Sequence, residues 1–150
     1  MKFLYCAILL ILFSGSAVAN NSLSIGEVES HESAWNSQNF SSVSYTLKEG
    51  MPFGYTEYKI HSVGEKCSAS SRLVFGKQKE KWKADSCVSH TLSEQFQKVK
   101  AQLIAGTIRS EANFNSEFGY IEYFSVEPKT DAFDQGWYIE VTGFKAVRAK

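Results

Sequence analysis

Polar and apolar residues alternate most cleanly near the C terminus, where Trp137, Ile139 and Val141 share one phase and Tyr138, Glu140 and Thr142 the other. Period-two alternation marks an antiparallel strand with one buried and one solvated face. Residues 118–127 are similarly rich in aromatic and β-branched side chains, and Pro128, Lys129, Thr130, Asp131, Asp134 and Gln135 form a turn-rich loop between the two stretches. Together they predict a C-terminal hairpin. Upstream, residues 40–48 alternate around Val43, Tyr45 and Leu47, and residues 55–63 around Tyr58 and Ile60. The glycine and proline content of residues 49–54 predicts the turn between them, and residues 64–66 turn the chain again. Residues 107–114, around Ile108, predict a further strand.

Two segments change period. Ser24 and Glu27 fit a capping box, and Val28, His31 and Trp35 follow at helical spacing, predicting a helix over 27–38. Thr91 and Glu94 form a second box, followed by Leu92, Phe96, Val99 and Leu103 at steps of four, three and four. Ile104 widens that stripe, Gly106 suits the left-handed position that ends a helix, and Lys98 and Lys100 lie toward the negative end of its dipole. The order is helix, two strands, hairpin, helix, three strands, with no alternation of the βαβ kind. It predicts an α+β fold, a single antiparallel sheet of about six to seven strands with two helices packed on one face.

The hairpin expected within residues 71–85 carries two conflicting clues. Cys67 and Cys87 are equidistant from Lys77, so a register centred there sets them opposite each other and Leu73 opposite Lys81. Pairing Leu73 with Trp82 instead moves the register by one residue and turns a cysteine away. A β-bulge between turn and cysteines, or a bridge beyond the last paired residues, reconciles them. The disulfide Cys67–Cys87 is the expectation in either case, contributing about 3 kcal/mol by closing a loop of about 20 residues.

The N terminus changes the picture of where the fold begins. Lys2 precedes an apolar run from Phe3 to Phe13, and the small residues before Asn20 end in the pattern of a cleavage site. These features predict a signal peptide over residues 1–19 and one exported domain over 20–150, in the periplasm or secreted. The apolar run is too short to span a bilayer comfortably, so no transmembrane anchor is expected after cleavage. Cys6 leaves with the leader, and the remaining pair suits an oxidising compartment. Net charge is +0 and 43% of residues are hydrophobic, which gives ample core material and argues against nucleic acid as a partner.

Several of these features carry a resemblance. They are the Trp35 helix running into Val43-Ser-Tyr45, the apolar helix from Leu92 to Ile104, Phe118-Gly-Tyr120 before an apolar strand, the loop with Asp131 and Asp134, and the closing Tyr138-Ile-Glu-Val-Thr-Gly-Phe144. In these the chain resembles a family of small exported bacterial proteins catalogued as domain of unknown function 6174. The resemblance implies a fold and an export route and assigns no chemistry.

The residues themselves assemble no catalytic constellation. His31, His61 and His90 are scattered over predicted helix, strand and helix start, and no serine lies in a Gly-x-Ser-x-Gly context. Glu127, Asp131 and Asp134 lack the ordered spacing of a calcium loop, and no glycine-rich phosphate loop is present. No catalytic residue, metal or cofactor is assigned. Lys77, Lys79, Lys81 and Lys83 alternate, so on one regular strand they would form a positive stripe. Tyr45, Tyr55, Tyr58, Tyr120, Tyr123 and Tyr138 would form an aromatic platform if they shared the uncovered sheet face. The leading expectation is a non-enzymatic exported module that binds an envelope protein or polysaccharide. Its candidate surface comprises Tyr138, Glu140, Thr142, Asp131, Asp134, Lys79 and Lys81. The second expectation is a small periplasmic hydrolase or metal-dependent enzyme using His61 or His90 with loop carboxylates.

Overall fold

Two capped helices and eight antiparallel strands account for most of residues 23–51, 53–128 and 136–149, which the computed structural model describes. Helix α1 (Ile25–Asn36) begins where the Ser24 side-chain oxygen accepts from the Glu27 N–H at 3.2 Å. Helix α2 (Leu92–Ala105) begins in the same way, with Thr91 accepting from the Glu94 N–H at 3.3 Å, and ends at Gly106. Leu92, Phe96 and Val99 are buried as their spacing predicts, and Gln95 is buried beside them. Ile104 departs from expectation. It is 73% exposed, because it lies about a third of a turn around the helix from the centre of that stripe.

The strands are β1 (Phe40–Met51), β2 (Gly54–Val63), β3 (Lys66–Phe75), β4 (Gln78–Lys79), β5 (Lys83–Asp85), β6 (Thr107–Phe114), β7 (Ile121–Pro128) and β8 (Trp137–Arg148), with a single 3-10 turn, Val88–His90, before α2. They form one sheet in the order β4-β3-β2-β1-β8-β7-β6, with β5 on the same edge of β3 as β4. The α+β architecture is as the sequence predicts. The eighth strand arises because the segment expected as one partner of β3 is split into β4 and β5. Strand β1 also runs further than expected: Met51 pairs with Gly54, so Glu49 and Gly50 belong to the ladder and not to the turn.

The split has a local cause. Val74 pairs with Lys79 and Phe75 with Gln78, whereas Ser71 pairs with Lys83 and Ala69 with Asp85. The register has slipped by one residue between the two groups, which is a bulge on the outer strand. The cysteine end keeps the register centred on Lys77, and Cys67 and Cys87 are disulfide-bonded with Cα atoms 5.8 Å apart. At the turn end neither expected pairing of Leu73 occurs, and its carbonyl accepts from the Glu80 N–H at 2.9 Å.

Most core residues lie on the helix-covered face, and Val74 of β3 is buried on the other. Leu47 of β1, Ile60 of β2, Phe124 of β7 and Ile139 of β8 meet Phe96 and Val99 of α2 in one apolar cluster. Trp35, Phe40, Phe118, Tyr120 and Phe144 close one end of it, with the Tyr120 and Phe144 rings stacked at 4.3 Å. Gly119, at φ 81°, lets α1 reach this cluster: a Cβ there would stand 2.8 Å from both Ala34 Cβ and the His31 carbonyl oxygen.

Strand β8 changes phase along its length. Ile139 and Val141 face the core, yet so does Phe144, three residues further on. Gly143, at φ 62°, absorbs the odd residue, and the β1–β8 register shifts at the same level, between Ser44 and Thr46. Among the described residues no helix is long and apolar enough to cross a membrane.

Candidate functional site on the uncovered sheet face

Strand alternation leaves the even-numbered residues of β1 from Ser42 onward and of β3, and the odd-numbered residues of β2, on the face without helices. In β8 that face carries Tyr138, Glu140 and Thr142, in the outward phase expected from the sequence. Register then aligns residues from distant parts of the chain into rows across the sheet. One row reads Arg72, Glu57, Lys48, Glu140, Tyr123 from β3 to β7. Its charges alternate. Arg72 Nε donates to Glu57 Oε2 at 2.6 Å, and Lys48 Nζ donates to Glu140 Oε2 at 2.7 Å. The hydrogen bond that Lys48 donates to Glu140 raises the Lys48 pKa.

The neighbouring row reads Val74, Tyr55, Gly50, Tyr138, Ser125, Glu111. Gly50 has no side chain, and the Tyr55 and Tyr138 rings meet edge to face above it with centroids 6.4 Å apart. Partial burial, with the nearby Tyr55 hydroxyl, pushes the Tyr138 phenol up from its ordinary value. At the β3 side Trp82 lies against two cations, with Lys59 Nζ 4.4 Å and the Arg72 guanidinium carbon 4.5 Å from its ring centre.

On the opposite side of this face, β6, β7 and β8 enclose a groove of about 420 Å³. Arg109, Glu111, Tyr123, Ser125, Glu127 and Tyr138 are among its lining residues. It offers aromatic surface together with hydrogen-bonding groups of both signs, a combination suited to a polar ligand with apolar faces.

The sequence-predicted residues divide between this face and elsewhere. Tyr55, Tyr123 and Tyr138 lie on it, whereas Tyr45 and Tyr120 are buried in the core and Tyr58 lies on the helix side. Asp131 and Asp134 fall outside the described residues. The lysine stripe is broken by the bulge: Lys79 pairs with Val74 and Lys83 with Ser71, residues that face opposite ways, and Lys83 bonds Glu80 at 2.9 Å. Lys81 is exposed between them. Arg72, Glu57, Trp82, Arg109 and Glu111 were missed by sequence reasoning. Their roles depend on which strands are neighbours, and the only local signal was the wet phase of β2 and β6.

The histidines do not converge. His61 is exposed on the uncovered face, and His31 stacks on Phe114 at 4.0 Å. His90 lies on the other face, stacked on Tyr58 at 3.8 Å with its Nδ1 3.8 Å from Glu49 Oε2. Lys98 Nζ donates to both Glu49 oxygens, at 2.8 and 2.7 Å, which directs that carboxylate away from the imidazole. Burial first, and then the Lys98 charge, lower the His90 pKa. Among the described residues no three His, Cys, Asp or Glu side chains are grouped to hold a metal ion.

A family model described as a family of unknown function, DUF6174, matches residues 27–146, which run from the start of α1 into the last turn of the β8 ladder. The chain belongs to the DUF6174 family. The match takes in all of α2 and β1 to β7, all but two end residues of α1 and of β8, and every residue of the groove, so the uncovered face is built within the DUF6174 domain. No curated protein matches the chain.

Proposed function

We propose that this protein is an exported, non-enzymatic binding module that holds an envelope polysaccharide on its uncovered sheet face. The observation that carries the reading is the groove in which Tyr123 and Tyr138 stand beside Arg109, Glu111 and Glu127. Sugar rings present apolar C–H faces edged by hydroxyls, which match tyrosine rings flanked by carboxylates and a guanidinium. The cross-strand ion pairs support the same reading, because they hold the floor beside the groove rigid before a ligand arrives. The leader of residues 1–19 and the Cys67–Cys87 bridge support an extracytoplasmic site of action, periplasmic or secreted.

The test is to titrate isotope-labelled processed protein with linear neutral and anionic oligosaccharides and follow its amide resonances. Shifts should concentrate at Arg109, Glu111, Tyr123 and Tyr138, and Tyr138→Ala should weaken binding about tenfold. Absence of shifts in that patch with every saccharide at about millimolar concentration would end this reading.

A further inference from the structure

The sheet ends at β6. Its inner edge pairs with β7, and among the described residues no strand pairs with its outer edge. Such an edge is a template for another strand unless something covers or blunts it. From Arg109 to Asn113 its ladder with β7 is regular, with irregularities confined to the two ends. Two further observations bear on this edge. Ile108 is 65% exposed, and Ile104, just before it at the end of α2, is 73% exposed. Arg109 and Glu111 flank Ser110 on the uncovered face, and neither is in an ion pair with another of the described residues.

We propose that β6 pairs antiparallel with β6 of a second copy of this chain, about a two-fold axis through Ser110, continuing the sheet across both molecules. The register follows from side-chain phase and charge. A two-fold axis perpendicular to the sheet keeps the uncovered faces together and opposes residues of like parity. Centring on Arg109 would set arginine against arginine, and centring on Glu111 would set carboxylate against carboxylate. Both are unfavourable in directly opposed pairs. Centring on Ser110 sets Arg109 against the mate's glutamate and Glu111 against the mate's arginine, forming two complementary pairs.

The same register brings the two candidate sites together. Arg109 and Glu111 line the groove, so the two grooves become adjacent across the axis on one continuous face. The seam is short, so the dimer forms in a concentration-dependent equilibrium. This pairing does not depend on what the groove binds.

The test is sedimentation velocity of the processed protein, purified after expression with its own leader, from about 1 µM to about 1 mM. The weight-average sedimentation coefficient should rise from the monomer value to that of a dimer. Glu111→Arg should weaken association at least about tenfold by opposing like charges, and the double exchange R109E/E111R should restore it to within about threefold. Thermal unfolding of each variant establishes that its fold is intact. As an independent reading, an equimolar mixture of Arg109→Cys and Glu111→Cys proteins should form a mixed intermolecular disulfide on mild oxidation, whereas a cysteine at Asn113 should not. A monomer throughout the range, a dimer indifferent to Glu111→Arg, or a double exchange that is folded yet remains monomeric would each overturn the proposal.

Discussion

His90 shows how a residue that looks chemical in the sequence is put to structural use. Its ring stacks on Tyr58 and lies 3.8 Å from Glu49 Oε2, within the influence of the Lys98 and Asp85 charges, and its backbone carbonyl accepts from the Tyr45 hydroxyl at 3.0 Å. Because burial and Lys98 lower its pKa from the ordinary 6.5, the unfolded chain binds a proton at a higher pH than the folded one does. The stabilisation is therefore present above about pH 6.5 and is lost as pH falls through that value toward the depressed native pKa. Urea unfolding at a series of pH values should show stability declining from about pH 7 to about pH 5, and His90→Gln should make the decline shallower. Equal slopes in the two proteins would mean that His90 titrates alike folded and unfolded. Trp82 makes a complementary point. It reads in the sequence as a strand residue of uncertain phase, and only the slipped register sets it beside Arg72 and Lys59.

Local rules serve best for the helices. Both caps and most of each buried stripe were legible, because the groups that decide them lie within four residues of one another. Ile104 was misread because a stripe counted along the sequence does not reveal how wide a face the sheet will cover. Strand positions were likewise legible from alternation, as the C-terminal hairpin shows. The β3–β4–β5 corner was only half legible. Equidistance from Lys77 correctly paired the cysteines, and its conflict with a Leu73–Trp82 pairing pointed to a bulge between turn and cysteines, which is where the register slips, though neither clue gave the pairs on the turn side. This corner has only short strands on its outer edge, two and three residues long, so the bridge carries much of its order. The double substitution C67A/C87A should lower the unfolding free energy by about 3 kcal/mol, given the 20-residue separation of the cysteines. Equilibrium denaturation under oxidising conditions measures it, and a change below about 1 kcal/mol would mean that the β2–β3 ladder holds the corner unaided.

At the scale of the molecule the decisive pairing is β1 with β8, which joins the two ends of the domain. It places the β2–β3 side and the β6–β7 side of the sheet on either flank of one central seam. No local pattern encodes that neighbour relation, which is why the rows of the uncovered face could not be read from sequence. Removing β8 leaves one edge of β1 unpaired and takes Ile139, Val141 and Phe144 from the core. A chain ending at Gly136 should therefore remain unfolded, with neither a cooperative melt nor the ellipticity of the full-length protein. Retention of a cooperative transition would show that the β1–β2–β3 unit is independently stable, contrary to this account.

The bulge at Gly143 has a consequence for which changes of length the domain tolerates. Side-chain phase in β8 resets there, so that Val141 and Phe144 both reach the core across an odd interval. Much as a reading frame depends on every base upstream, the burial of Phe144 depends on the count of residues since Val141. Adding a residue beside Gly143 would turn Phe144 out of the aromatic cluster and onto the uncovered face, whereas an added residue in a surface turn leaves every phase intact. Drift in length can therefore collect in the corners of the sheet, while this short interval stays fixed.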